Sequence, residues 1–310
     1  MFKRLVFVIA VVALFLVPSL IAGAGEWKVL TGTTRIEPDG TYRGILIVRE
    51  MPAGVEHQIT NPDEVNAGGA SWTPDGKIVF SNTELVEDVW VGDIRLMDAD
   101  GSNMKSIGID DWGVGSASRN FISFTFIVGG ATPWVGVVRR DGSDRVDLAP
   151  GMGSAISHDE TKVAFYNGQG GINVINIDGT NLRTDVVGLA DSSAPEFVDD
   201  HQIAYTGIRG RPGQEIMQVF IHNLDTGEET FLGDGGLTCV TGEWIVYTSD
   251  RTYAIRPDGT DRFELQGSKG TDDIIGDISP TSDPGPIEEP RAVNPHGKMA
   301  TTWAELKARK

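Results

Sequence analysis

Cysteine is almost absent: Cys239 is the only one in 310 residues. A disulfide-stapled scaffold is therefore excluded, even in an oxidising compartment. Cys239 lies in the strand-like Leu237-Thr-Cys-Val240 and is expected to be a small core residue; nothing local supplies a base to activate its thiol. Histidine is also scarce. The five (His57, His158, His201, His222, His296) stand singly, with no His-x-x-x-His and no paired Cys/His spacing, so no metal site and no cofactor is expected. There is no Gly-x-Ser-x-Gly, and no α/β stretch follows the body of the chain to house a nucleophile elbow. Basic residues are few, 26 Lys+Arg against 44 Asp+Glu. A surface this acidic repels phosphate backbones and argues against nucleic acid as a partner.

Long apolar runs are missing beyond the N-terminus. There, Lys3 and Arg4 precede an apolar core from Leu5 to Val17, and Ala22-Gly-Ala24 offers a small-residue cleavage site, the pattern of a secretory signal over 1–24. Pro18 and the small residues favour cleavage, while the apolar residues through Leu20-Ile21 leave an uncleaved anchor open. No cysteine accompanies the signal, which excludes a lipid-anchored lipoprotein. Cleavage removes two basic and no acidic residues, leaving 24 against 44 and a net charge of −20. The expected location is periplasmic or secreted, with no membrane span after cleavage.

Helical periodicity is absent from the body, and a short repeat takes its place. Ser71-Trp-Thr-Pro-Asp-Gly-Lys-Ile-Val-Phe-Ser81 leads to Ile94-Arg-Leu-Met-Asp-Ala-Asp-Gly101-Ser-Asn; related pairs lie at 156–181 and 243–261. Each unit has two strand-like runs closed by tight turns. The second-turn glycines fall at Gly101, Gly142, Gly179, Gly227 and Gly259, at intervals of 41, 37, 48 and 32 residues. Asp-Gly between alternating apolar runs signals a hairpin, because the turn needs positive φ. Six units follow, at roughly 26–60, 68–109, 112–150, 152–188, 193–234 and 236–267. Units of this length with four short strands predict an all-β, six-bladed propeller of four-stranded antiparallel blades, one domain over 25–279. Two segments compete to close the ring, 271–279 and Glu26–Leu30. Pro280, Pro284, Pro286, Pro290 and Pro295 mark 280–296 as an extended linker, and 297–310 reads as a short basic amphipathic helix with Met299, Trp303 and Leu306 on one face. That tail is read either as frayed or as a peptide that docks in a partner's groove.

Trp72-Thr-Pro-Asp-Gly-Lys-Ile-Val-Phe-Ser81 and Ile94-Arg-Leu-Met-Asp-Ala-Asp-Gly-Ser-Asn103 resemble the repeats of TolB-like β-propellers, over roughly residues 26–279 and most strongly in units two, four and six. Unit three departs with Ser116-Ala-Ser-Arg-Asn120, unit four has His158 in place of proline, and unit five reads Val198-Asp-Asp-His201. The small α/β domain that precedes the propeller in TolB has no counterpart. The resemblance implies an exported propeller used chiefly for protein contact.

In such a blade the a–b and c–d turns share one face of the ring, and the b–c and d–a loops share the other. The turns are uniform and the b–c loops vary, so recognition is expected on the loop face. Candidate partner-binding residues there are Glu87, Asp88 and Trp90 in unit two, Asp110, Asp111 and Trp112 entering unit three, and Arg209 and Arg211 in unit five. Trp and Arg concentrate interface energy, although the tryptophans could equally pack between blades and the arginines answer acidic neighbours. Asp98-Ala-Asp100-Gly-Ser-Asn103 lacks the closing glutamate of a calcium loop and reads as turn chemistry. The expected function is a non-enzymatic, monomeric scaffold binding a protein or cell-envelope component. The alternative is a carbohydrate-active or hydrolytic propeller with a central-channel site, for which His158, His201 and His222 are the only available histidine set.

Overall fold

The computed structural model describes residues 27–36, 42–51, 54–86, 89–109, 113–129, 132–188, 195–211, 214–265 and 277–278. The signal segment, the proline-rich linker and the basic tail lie outside them. Blade 1 contains β1 (Trp27–Ile36), β2 (Tyr42–Met51) and β3 (Val55–Gln58). Blade 2 contains β4 (Ala67–Trp72), β5 (Ile78–Val86), β6 (Val89–Met97) and β7 (Lys105–Ser106). Blade 3 follows with β8 (Gly113–Ala117), β9 (Phe121–Val128), β10 (Thr132–Arg139) and β11 (Val146–Pro150). In blade 4 lie β12 (Met152–Ile156), β13 (Lys162–Tyr166), β14 (Gly171–Asn176) and β15 (Arg183–Gly188). Blade 5 has β16 (Glu196–Phe197), β17 (Gln202–Arg209), β18 (Ile216–Asn223) and β19 (Glu229–Asp234), and blade 6 has β20 (Gly236–Thr241), β21 (Trp244–Thr248), β22 (Thr252–Ile255) and β23 (Phe263–Glu264). The last strand, β24 (Asp277–Ile278), returns to blade 1 and pairs antiparallel with β1 through Val29–Ile278 and Leu30–Asp277. Every sheet is thus four-stranded, and the C-terminal of the two competing segments supplies the inner strand of blade 1.

The hydrophobic pattern explains why the sheets stack in a circle. Successive strand residues point to opposite faces, so a strand covered on both faces is apolar throughout. In β5, Ile78 and Phe80 join a cluster with Leu30 and Leu46 of blade 1, while Val79 joins one with Ile122 and Phe124 of blade 3. In β17, Ile203 and Tyr205 face Ala164 and Ile172 of blade 4, and Ala204 faces Ile245 of blade 6. A cluster of blades 3 and 4 holds Val135, Val137, Val163 and Phe165. The sixth joins the ends of the chain: Trp244, Val246, Ala254 and Cys239 of blade 6 meet Val29, Met51 and Ile278 of blade 1. Six interfaces for six blades close the ring. Cys239 is indeed a buried core residue.

Near the axis, space is short. Each of β4, β8, β12 and β20 carries a register shift against its neighbour, and small residues fill these strands. Gly115-Ser116 and Gly153-Ser154 lie within β8 and β12. A side chain on Gly115 would collide with the Ser154 hydroxyl, which is why glycine stands there.

Candidate functional site

Two sites of different character occupy the two faces. On the turn face, the inner strands open into a funnel of about 530 Å³. All six blades contribute: Ser71 and Trp72, Ser116 to Asn120, Ser157 to Glu160, Glu196, Thr241 and, from the closing strand, Ile278. Recognition is expected from sequence on the opposite face, with a central-channel site only as the alternative; the local signal for this concavity is the Ser/Thr-x-Asp of the a–b turns, which form its rim.

Those turns are clasped blade to blade. The Thr73 hydroxyl donates to Asp75 (2.7 Å), and Arg140 of blade 3 donates to both Asp75 oxygens (2.8 and 3.2 Å). Burial opposes ionisation of Asp75, but the bonds from Arg140 and Thr73 outweigh it and hold its pKa below the usual carboxylate value. Blade 4 places Glu160 where blade 2 has Gly76, at φ 58°. Its carboxylate accepts from the Asn120 backbone (2.7 Å) and side chain (2.6 Å) of blade 3. Burial raises its pKa, but hydrogen bonds led by Asn120 lower it further. The departures of units three and four from the repeat are therefore complementary, Asn120 in one receiving Glu160 of the other. Because these folded carboxylates are depressed, their contribution to stability is full above pH ~4 and is lost as pH falls through their folded pKa values.

Glu160→Ala should lose the Asn120 bonds while keeping the left-handed strain, costing about 1–2 kcal/mol. Glu160→Gly loses the same bonds but relieves the strain, and should cost about 1 kcal/mol less than the alanine variant. Urea midpoints of the two variants check the order.

On the loop face, the b–c connections are not irregular loops. The unit-two segment Glu84 to Trp90 continues the hairpin, with Leu85 opposite Trp90 and Val86 opposite Val89, leaving only positions 87 and 88 between strands. Apolar residues on both arms favour continued pairing, and strand propensity outruns the acidic pair at the tip. Blade 5 behaves likewise, with Arg209 opposite Ile216. Hairpins of blades 1, 2, 3 and 5 are long, whereas β13–β14 and β21–β22 of blades 4 and 6 turn back early.

Of the predicted residues, Glu87, Asp88, Asp110, Asp111 and Trp112 lie outside the described residues, and of Trp90 only the backbone is described. Arg211 is exposed next to the blade 5 tip. Arg209 is half-buried and engaged within its own blade. Its guanidinium lies 4.5 Å from the Phe220 ring centroid and donates to the Tyr205 hydroxyl (3.2 Å) and to Glu229 (3.5 Å). What sequence reasoning did not single out is the apolar character of the tips. Among the described residues, eight large hydrophobic side chains are exposed, and five of them (Val91, Ile127, Val128, Ile216, Met217) belong to these hairpin ends.

The three histidines do not converge. His158 lines the funnel, His201 is exposed at a turn beside Asp225 (2.7 Å), and His222 is buried on β18. Among the described residues, no three His, Cys, Asp or Glu side chains are grouped to hold a metal ion. Among the described residues, no helix is long and apolar enough to cross a membrane.

Closed ring, four-stranded blades and an end-to-end strand closure place the chain beside known propellers. TolB from Acinetobacter baumannii superposes with a TM-score of 0.55 at 16% identity, over 83% of this chain and 65% of that one. The fold is that of a TolB-like β-propeller. A TolB from Agrobacterium tumefaciens gives 0.51 at 13% identity, covering 78% of this chain and 98% of that one. The tricorn protease also matches, at 0.55 and 11% identity, over 78% of this chain but only 30% of its own length. A puromycin-hydrolyzing peptidase of Mycobacterium tuberculosis gives 0.53 at 11% identity, over 87% and 49%. The chain thus spans just under two thirds of the Acinetobacter protein and less than one third of tricorn. No protein-family model and no curated protein matches the sequence.

Proposed function

We propose that this chain is an exported, non-enzymatic propeller scaffold that binds a protein or cell-envelope component through its b–c and d–a loop face. The observation that carries the reading is the set of exposed apolar hairpin ends, 39–51% accessible on a molecule of net charge −18. A solvated acidic surface has no use for Ile216 and Met217 side by side, and exposed apolar groups gathered on one face mark contact sites. The mechanism is rigid presentation. Interblade cores hold the hairpins in register, and Val91 stands exposed on the β6 arm; Glu87, Asp88, Trp90, Asp110, Asp111 and Trp112 are the contacts that the sequence proposes for the same face. Arg211 supplies charge at the blade 5 tip, and Arg209 fixes its root. Export through the N-terminal signal to the periplasm or cell surface accords with the TolB-like fold. A propeller hydrolase or lyase is the competing reading, and the funnel would be its site; Arg119, His158, Asp159, Glu160 and Glu196 are the ionisable groups there.

The test compares envelope-protein capture by wild type, by a tip variant (Val91→Ser, Ile127→Ser, Ile216→Ser, Met217→Ser, Arg211→Ala) and by a funnel variant (His158→Ala, Glu196→Gln). Hot-spot truncations cost about 2 kcal/mol each, so the tip variant should lose its partner by more than ~100-fold and the funnel variant should keep it. Retention by the tip variant, or loss by the funnel variant alone, would refute the choice of face.

A further inference from the structure

Blade 5 carries a polar cluster that packing alone does not explain. Strands β17, β18 and β19 place Tyr205, Arg209, His222 and Glu229 on one face of the sheet, toward blade 4. The Tyr205 hydroxyl donates to Glu229 Oε1 at 2.5 Å. His222 Nδ1 stands 3.9 Å from that same oxygen, is buried, and has no hydrogen-bond partner. Arg209 Nη2 reaches both the Tyr205 hydroxyl and Glu229 Oε2, at 3.2 and 3.5 Å. From blade 4, Arg183 donates to the Leu224 carbonyl at 2.8 Å and adds its charge near His222. One carboxylate therefore serves a phenol and an arginine, with a silent imidazole beside it.

We propose that His222 and Glu229 form a proton-operated latch that fixes the root of the blade 5 hairpin at neutral pH and frees it on acidification. With the imidazole neutral, Glu229 accepts from Tyr205 and holds Arg209 against Phe220, so the hairpin arms Ile208-Arg209 and Ile216-Met217 are anchored. When a proton from solvent adds to the ring, both nitrogens become donors. His222 Nδ1 then closes on Glu229 Oε1 and displaces the Tyr205 hydroxyl. Two cations, His222 and Arg209, now compete for one carboxylate, and Arg209, the more exposed of the two, is the one released. The hairpin it held carries Arg211, Ile216 and Met217. The latch changes the order of that hairpin whether or not its apolar end meets a partner, so it stands apart from the functional reading above.

The direction of titration fits. Burial depresses the His222 pKa below the ordinary histidine value; Glu229 pulls it up and Arg183 pushes it down again. The unfolded chain therefore takes the proton first, so this group's contribution to stability is full above pH ~6.5 and declines as pH falls through the folded pKa.

Hydrogen exchange on the full chain at pH 7.5 and 5.0, corrected for intrinsic rates, tests the latch. Wild-type amides of 206–217 should lose protection about tenfold at pH 5.0, while those of β13 and β14 hold. His222→Gln should abolish the pH effect. Glu229→Ala should leave the hairpin unprotected at both pH values. In wild type, the NMR midpoint of the His222 ring proton must coincide with the midpoint of hairpin release, a comparison that needs no variant to fold. An equal loss in His222→Gln, a simultaneous loss in β13 and β14, or separate midpoints would overturn the proposal.

Discussion

Gly101→Ala should destabilise the protein by about 3–5 kcal/mol, and Gly259→Ala, in the equivalent turn of blade 6, by only about 1–2 kcal/mol. Both glycines close a c–d turn with positive φ, 84° at Gly101 and 80° at Gly259. The shared part of the cost is the left-handed backbone, which any side chain resists. The difference lies in what each turn touches. A Cβ on Gly101 would overlap the Ile59 carbonyl oxygen at the end of blade 1, whereas one on Gly259 has nothing within 4 Å. Backbone cannot swing aside as a long side chain can, so blade 2 would have to part from blade 1. Gly142 meets the Ile107 carbonyl in the same way and should follow Gly101. Urea unfolding of the three variants decides the matter; equal losses at Gly101 and Gly259 would mean that the interblade approach contributes nothing.

The second large effect is expected at the closing strand. β24 holds blade 1 through two residue pairs, and Ile278 is 2% exposed in the cluster that joins blades 6 and 1. Ile278→Asp places a carboxylate among the apolar side chains of Val29, Met51 and Trp244. Loss of the aliphatic packing alone costs about 2–5 kcal/mol, and the buried carboxylate adds to it. Ile278→Val, which trims one methyl group, should cost about 1 kcal/mol. A much smaller effect of the aspartate would show that blade 1 stands without its closing strand.

The blade boundaries were legible in sequence because the turn chemistry repeats. Asp100, Asp141, Asp178 and Asp258 each accept from the Ser or Thr two residues on, as their Asp-Gly-Ser/Thr sequences imply. The doubly covered second strands were legible for the same reason: Ile78-Val-Phe80 and Ile245-Val-Tyr247 have no polar face to offer solvent. Long-range choices left no local trace. Which end closes the ring is set by the pairing of 277–278 with 29–30, and both candidate segments read in sequence as short runs of mixed apolar and polar residues. Continuation of the hairpin through Leu85 and Trp90 was hidden by the acidic residues at its tip. The Tyr205–Glu229–His222 cluster spans three strands of one blade, and each residue alone reads as ordinary strand or turn composition. The funnel needed six chain segments to be seen together.

The central claim is that six blades close into one ring, with β24 completing blade 1. Hydrogen exchange on Ile278→Asp, compared with wild type, tests it most directly. The ring predicts that β1 and β21 lose protection together, because one cluster contains Val29 and Val246, while β9 and β13 on the far side keep theirs. Protection in β1 and β21 unchanged by the substitution would contradict a closed ring.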